Sequence, residues 1–360
     1  MIPNKNQFYK IVAKHSGKVV SVHQNSTADN ANITQYYWHG GDSQRWIFIQ
    51  LNNNYYAIVA KHSGKVVSVY QNSTADNANV HQYYWHGGNS QQWFLQDQGD
   101  SFNSVINKNS GKVMSVHQNS TADNANITQY TWHGGDSQRW KPEAVESFTL
   151  PSVPTYPVPD VPQYEDINDI LPELTEKVTT NYTLAPFIAV DDPYFGDNDT
   201  PQQIKTNLYY LYVRKQYWKR VASHTLAPNE THKYSQTTGM TQEDQNIVSK
   251  TVGHTIGVDV GFQFGKEDKR HSSAGLSYQY TTELATHESH TTTQMTEETK
   301  ELTINNPYPY NVAWSKYVLV SEYSVQRSDG TFVNEPWTII DPNTTRSSYY
   351  PPTANLMDIE

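Results

Sequence analysis

The side chains of this sequence that could do chemistry mostly come in threes. Tyr36-Tyr37-Trp38-His39 is followed 47 residues later by Tyr83-Tyr84-Trp85-His86, and 47 later again by Tyr130-Thr131-Trp132-His133. Each copy gathers aromatic rings beside hydrogen-bond donors and acceptors, the make-up of a small-ligand binding surface. Catalytic constellations, by contrast, are thin. The chain has no Gly-rich phosphate loop, no G-x-S-x-G and no H-E-x-x-H, and His287-Glu288-Ser289-His290 has the wrong spacing for a zincin. Eight of the 14 histidines lie in the recurring segment and follow its period, so they read as hairpin or pocket residues and not as metal ligands. A glycoside hydrolase, the second function class, would need two acids about 5–10 Å apart across a cleft. Residues 142–360 hold 29 Asp and Glu, yet a strand-rich, Thr-rich domain is an unusual hydrolase. No enzyme activity, metal or cofactor is expected.

The elements that position these residues follow from an internal repeat. Lys14 to Trp46 recurs at 61–93 with 28 of 33 positions identical, and at 108–140 with 30 of 33. Within the first copy, Val19 to Val22 reads as a strand and Ala28-Asp29-Asn30 as a hairpin turn. Ile33 to Trp38 is the return strand, and His39-Gly40-Gly41-Asp42 makes a second turn before Gln44-Arg45-Trp46. About four short strands per copy and three copies predict a closed twelve-stranded β-trefoil over residues 1–141, where an open solenoid would want atypical capping repeats.

The Q-x-W triplets at Gln44/Trp46, Gln91/Trp93 and Gln138/Trp140 strongly resemble those of the ricin-B-type lectin trefoils. The resemblance implies that Trp46, Trp93 and Trp140 pack around the pseudo-threefold axis, where a large ring is best buried. It also implies a sugar site in each repeat. The family's aromatic falls on Tyr36, Tyr83 and Tyr130, and its Gln on Gln44, Gln91 and Gln138. Its strand Asp is replaced by Ser21, Ser68 and Ser115, and its Asn by Ser43, Ser90 and Ser137. A serine is a weaker acceptor than a carboxylate. His23, Tyr70 and His117, two residues beyond each serine, stand where some members contact the sugar edge, and Asp42, Asn89 and Asp136 are expected to supply the lost acceptor. Galactose-type glycans are the expected ligands, with avidity from three similar sites. The bland alternative is a trefoil kept as a scaffold; against it stands the near identity of the pocket-facing segments.

Composition then changes sharply. Residues 1–141 carry a net +4 with no Glu, and residues 142–360 a net −14. A chain of this balance is a poor nucleic-acid binder. Mean hydropathy is −0.75, and no run approaches the ~18 apolar residues of a membrane helix. The start, MIPNKNQFYK, has no apolar stretch behind its lysines, so no secretory signal is expected. With no Cys, disulfides and thiolate sites are excluded. Prolines 151, 154, 157, 159 and 162 mark a linker over 142–163 that runs extended, free or as an ordered strap. Residues 164–360 read as an elongated all-β domain, with a short helical turn from Ile167, a long strand within 206–228, later strands at 318–327 and 337–340, and a flexible tail after Tyr349.

One stretch alternates with period two. Val252, His254, Ile256, Val258, Val260, Phe262 and Phe264 share one face, opposite Thr255, Gly257, Gly261 and Gln263. After the charged segment 265–273, Leu276, Tyr278 and Tyr280 alternate again. Each arm has the ~9–11 residues a tilted strand needs to cross a bilayer, and membrane barrels alternate in this way. An amphipathic hairpin on a soluble core is the other reading, and three glycines on the polar face count against it.

The segments 185–195, 200–221 and 226–241 resemble the toxin domain of the Bin-like pesticidal crystal proteins, a group that includes the mosquito-active binary toxin. That family joins an N-terminal trefoil to an aerolysin-type β-pore-forming module, so the resemblance covers most of the chain. It implies accumulation in a parasporal crystal of a spore-forming bacillus, release in an insect midgut, binding to glycans on target cells, and homo-oligomeric pore formation in their membrane. A second toxin protein is a further implied partner, and nucleic acid is not. A non-lytic multivalent lectin is the alternative.

Overall fold

The computed structural model describes residues 3–51, 54–190, 192–196, 199–252, 296–356 and 358–359. It divides into two compact units: Met1–Pro151 with Ala185–Tyr210, and Ser152–Leu184 with the described residues from Leu211 onward.

In the first unit the repeats give twelve strands in one antiparallel sheet system. These are β1 (Gln7–Ala13), β2 (Val19–Val22), β3 (Ile33–Tyr36) and β4 (Trp46–Gln50); β5 (Tyr55–Ala60), β6 (Val66–Val69), β7 (Val80–Tyr83) and β8 (Trp93–Asp97); β9 (Asn103–Asn107), β10 (Val113–Val116), β11 (Ile127–Tyr130) and β12 (Trp140–Ser147). The ring closes because β1 pairs with β12 from Ala13↔Trp140 to Gln7↔Ser147. The expected trefoil is present, and Pro142 to Ser147, the first residues of the expected linker, extend its last strand. Trp46, Trp93 and Trp140 have no exposed surface and share one core with the valines and isoleucines of all three repeats. Each indole donates to a strand carbonyl of its own repeat, Val20, Val67 or Met114, at 2.8–3.1 Å, as a buried Trp N–H must.

Polar residues tie the repeats together. Gln35, Gln82 and Gln129 are buried, and each amide donates to two carbonyls of the preceding repeat. Gln82, for example, reaches Ser26 O at 2.7 Å and Ala28 O at 2.9 Å. The Oε1 of Gln35 accepts from Ser16 at 2.8 Å. Asn32 donates to Asn126 and Asn126 to Asn79, at 2.8 and 2.9 Å. Buried polar groups are satisfied in this way, so much of the repeat's polar identity is structural.

The added segment of this unit contains α1 (Thr200–Asn207), which opens with Pro201 in its first turn. Behind it, Tyr210 donates to the buried Asp192 at 2.9 Å and accepts from Gln203 at 2.9 Å. Helix α1 lies on repeat 2 at Gly64, where a Cβ would stand 2.2 Å from Thr200 Cγ2 and 2.9 Å from Ile204 Cδ1; the equivalent Gly17 and Gly111 face open space. All three glycines have φ near +70°. Gly64→Ala should therefore lower stability by about 2–3 kcal/mol, backbone strain plus a clash, and Gly17→Ala or Gly111→Ala by about 1 kcal/mol. Denaturant melts of the three variants check this; equal losses would mean that α1 does not rest on Gly64.

The second unit is built on a four-stranded antiparallel sheet, β13 (Val178–Pro186), β14 (Tyr209–Leu226), β17 (Val312–Gln326) and β18 (Trp337–Tyr350), in that order. A second sheet orders β15 (Thr231–Thr238), β16 (Glu298–Asn305) and β19 (Asp358–Ile359). Strand β17 is buried along almost its whole length, as a central strand covered on both faces is. The Pro-rich segment supplies part of the cover as an ordered strap. Val161, Tyr164 and Leu171 pack with Trp218, Ala313, Tyr317 and Leu319. Trp218 Nε1 donates to Pro159 O, Tyr317 Oη to Pro172 O, each at 2.8 Å, and Tyr164 pairs with Ser315 at 2.7 Å.

Three expectations are corrected here. The stretch from Ile167 forms a single turn and no helix: the Asp169 amide bonds Asp166 O at 3.2 Å, and the Asp169 carboxylate takes the amides of Glu165 and Asp166. The tail is held: Ala354 and Leu356 are buried in a core with Trp314, and Asp358–Ile359 pairs with β16. Val252, expected to begin the first hairpin arm, is instead the last residue of α2 (Gln242–Val252). That helix is nucleated by Thr241, whose Oγ1 accepts from the Asp244 amide at 3.0 Å and bonds its carboxylate at 2.8 Å. The remaining hairpin positions, Ile256, Val258, Val260, Phe262, Phe264, Leu276, Tyr278 and Tyr280, lie outside the described residues.

Candidate functional site

Each repeat presents the same surface feature between its return strand and its His-Gly-Gly turn. Strand β3 ends at Tyr36, and the chain turns through Tyr37 and Trp38 to His39. The Gln44 side chain fixes this turn from beneath, donating to Tyr37 O at 2.8 Å and accepting from the His39 amide at 2.9 Å. Gln91 and Gln138 repeat both bonds in their own copies. His39 Nδ1 then accepts from the Gly41 amide at 3.2 Å. A Cβ at Gly41 would stand 2.6 Å from that imidazole, and Gly88 and Gly135 meet His86 and His133 equally closely. Glycine here is what allows the ring to fold back onto its own turn.

The result is an aromatic shelf. Tyr36 and Tyr37 have ring centroids 4.5 Å apart at 34°, with His39 edge-on to both at 6.1 and 5.8 Å. Tyr83, Tyr84 and His86 copy this at 4.4, 6.1 and 5.8 Å. In repeat 3, Tyr130 keeps its histidine at 6.0 Å, but Thr131 replaces the second ring. Tyr37 is 52% exposed, so its ring is available to a ligand.

The other expected site residues divide into two groups. Ser21, Ser68 and Ser115 are buried in β2, β6 and β10, facing Thr34, His81 and Thr128 across the hairpin. Gln44, Gln91 and Gln138 have no exposed surface and use both amide ends inside the turn, so they shape the shelf and do not touch a ligand. Ser43, Ser90 and Ser137 are buried donors to Asn25, Asn72 and Asn119. Asp42 is bound to Arg45 at 2.7 Å and Lys61 at 3.2 Å. Partial burial would raise its carboxyl, but the bonds from Arg45 and Lys61 outweigh that and hold it below the usual range. Asp136 pairs with Lys14 at 3.1 Å and Arg139 at 3.3 Å. Both are thus occupied by cations, while Asn89 is exposed.

His23 and His117 are half-buried beside the shelf, each with an Nδ1 that has no partner among the described residues. Tyr70 is exposed and reaches Tyr83 through His81, whose ring stands 5.4 Å from Tyr70 and 5.6 Å from Tyr83. Burial drives the His81 imidazole down to about 4, so it is neutral at physiological pH and acts as an aromatic spacer.

The sequence reading passed over a further set. Asp29, in the hairpin turn of repeat 1, extends into repeat 2, accepting from the Tyr84 amide at 3.2 Å and Lys65 at 2.7 Å. Asp123 of repeat 3 accepts likewise from the Tyr37 amide at 3.2 Å and from Lys18. Asp76 of repeat 2 serves repeat 3 through the Thr131 amide at 2.8 Å and Lys112 at 2.7 Å. Lys and Asp are unchanged in all three copies, but so are the residues around them, SGKV and QNSTADNAN, so nothing in the sequence singles the pair out.

Residues 1–83, 44–106 and 89–169 match the ricin-type beta-trefoil lectin domain-like family. Residues 178–352 match the insecticidal crystal toxin, P42, family. The chain is 31% identical over 209 residues to the binary larvicide subunit BinA of Lysinibacillus sphaericus, covering 58% of this chain and 54% of that protein. Subunit BinB of the same organism is 28% identical over 211 residues, covering 57% and 45%. The chain thus spans about half the length of these relatives. The crystal structure of Cry35Ab1 superposes with a TM-score of 0.73 over 97% of this chain and 91% of that one, at 21% identity, which establishes a common fold.

Proposed function

Taking as premise that this chain is a Bin-like protein with a ricin-type trefoil lectin domain, we propose that it is an insecticidal, mosquito-directed β-pore-forming toxin. The trefoil binds galactose-type glycans on gut cells, and the second unit oligomerises and inserts a hairpin into their membrane without any enzymatic step. The observation that carries this reading is the aromatic shelf, complete in two repeats and one ring short in the third, on one unit of a chain whose other half matches a crystal-toxin family. The alternation within 254–280 supports the second step from sequence, because a strand with one apolar and one small or polar face suits a lipid-facing barrel wall. The relatives named as subunits of a binary larvicide support a second toxin protein as partner. Storage in a parasporal crystal suits a chain without cysteine, since alkali alone would then release it by ionising exposed tyrosines.

The test is release of an encapsulated dye from vesicles bearing insect gut glycolipids. The wild-type chain, with a partner subunit if one is required, should release dye. Val258→Lys should abolish release, because a lysine near the bilayer midplane costs ~2–4 kcal/mol in every copy of the ring, while binding to the vesicles is unchanged. Binding without release by wild-type protein under all these conditions would leave a non-lytic lectin.

A further inference from the structure

We propose that the polar half of each sugar site is the Lys–Asp pair shared between neighbouring repeats, that it is functional in repeats 1 and 2 but not in repeat 3, and that it selects neutral sugars. This rests on the glycan-binding reading above and assigns its polar residues, which the positions expected from the trefoil family do not supply.

A pyranose stacked on a tyrosine needs a charged acceptor at its rim for adjacent hydroxyls, because a carboxylate makes hydrogen bonds roughly twice as strong as a neutral acceptor. Ser21 is buried, and Asp42, whose Oδ1 is held by Arg45 and Lys61, makes no bond to the Tyr36–Tyr37 shelf among the described residues. Asp123 stands at the right place. Its Oδ1 holds the amide of Tyr37, and Lys18, beside the strand residue that pairs with Tyr36, bonds the same oxygen. Among the described residues every bond to Asp123 falls on Oδ1, which leaves Oδ2 to accept from a ligand hydroxyl. A remaining Lys18 proton can serve the oxygen of the adjacent hydroxyl. Asp29, Lys65 and Tyr84 reproduce this in repeat 2, again with every described bond on Oδ1.

The hydroxyls of Tyr36 and Tyr83 bear out the proximity. Burial chiefly raises both above the usual phenol range, and the neighbouring tyrosine and the carboxylates of Asp123 and Asp29 add to the rise.

Repeat 3 differs at one residue. Thr131 stands where the other copies have Tyr37 and Tyr84, and its hydroxyl bonds both oxygens of Asp76, at 3.0 and 3.2 Å. Lys112 also donates to Thr131 Oγ1 at 2.9 Å. The third pair is closed upon itself, and it has lost one ring of the shelf. The three Asp side chains are almost equally exposed, at 40, 40 and 38%, so what sets the first two apart is an Oδ2 that no described residue bonds. Because each Lys is matched by its own Asp, the pair offers no uncompensated cation to a sialyl or sulfate group, which suits it to neutral hexoses with vicinal hydroxyls.

The experiment retains the full chain on galactosyl-agarose and elutes it with free galactose. Wild type should be retained, and Asp29→Asn with Asp123→Asn should lower affinity about tenfold or more, the usual loss when a charged hydrogen bond is weakened. Asp76→Asn should behave as wild type, and Thr131→Tyr, which frees Asp76 and restores the ring, should bind more tightly. If the double Asn variant melts early, Lys18→Met with Lys65→Met takes its place with the same expected loss. A double variant that binds like wild type, while Tyr36→Ala with Tyr83→Ala does not, overturns this inference and leaves the sugar reading standing. Wild type that binds neither this resin nor any neutral sugar of a glycan array overturns both.

Discussion

Replacing Tyr36, Tyr83 and Tyr130 together by alanine should lower avidity for a galactose-coated surface by about a hundredfold, tenfold at each of the two open sites, and leave the melting temperature nearly unchanged. A tyrosine stacked on a pyranose removes on the order of 60 Å² of apolar surface from water, about 1.5 kcal/mol at 25 cal/mol per Å². That is roughly tenfold per site, and on a multivalent surface losses at linked sites multiply. The rings lie at the ends of β3, β7 and β11, half-buried beside the shelf, so the core built on Trp46, Trp93 and Trp140 stays intact. Surface plasmon resonance on a dense galactose surface, with calorimetric melting as control, measures both quantities. Binding unchanged in the triple variant would place the sugar site elsewhere on the trefoil. A loss nearer a thousandfold, with Tyr130 carrying its share, would show that the third site also binds.

The second large effect concerns stability. Trp314→Ala should cost about 4 kcal/mol, the usual range for deleting a buried Trp side chain, from a total of roughly 5–15. Trp314 has no exposed surface and lies on β17, yet its ring meets Tyr234 of β15 edge-on at 5.0 Å and shares a core with Ile304, Ala354 and Leu356. It therefore joins the large sheet to the small one and to the C-terminal segment. Chemical denaturation followed by hydrogen exchange should show β15, β16 and residues 354–359 losing protection first. A loss below 1 kcal/mol would mean that the two sheets hold together by other contacts.

The trefoil was legible because its signals are local and threefold: the 47-residue period, the period-two strands and the Q-x-W corners each point to the same closed sheet. Its site was legible only in part. Tyr36 and its equivalents are surface residues of the shelf, but Gln44 and Ser21 proved to be inside. The reasoning failed at the polar positions. Near identity of the copies does not by itself mean ligand contact: Gln35 and Asn32 are alike in all copies because they bond across repeats, and Ser16 because it holds Gln35 within its own repeat. Asp29 and its equivalents were read only as turn formers, since nothing in one repeat's sequence says that its turn meets the next repeat's tyrosine. The second unit was less legible. Its long strands β14 and β17 followed from runs of aromatic and β-branched residues. The breakpoints did not: Pro342 lies within β18 because the pairing slips between Val318 and Val320, so that residues 341–344 face no partner. The strap and the held C-terminus depend on contacts more than a hundred residues away, such as Tyr164 with Ser315.

The borrowed carboxylates reach past any one site. Lys18 meets Asp123, Lys65 meets Asp29 and Lys112 meets Asp76, so each copy is completed by the one before it and the first by the last. A protein of one or two copies would leave a half-built pocket at every open end, however well it folded. Copy number is therefore fixed by geometry at three. Three separate 47-residue peptides could close the same circle as a symmetric trimer, and a chain restarted at Lys61 or Lys108, with its old ends joined, would rebuild all three pockets from new termini. The ring has no intrinsic beginning; the positions of its ends decide only which pocket borders the rest of the chain.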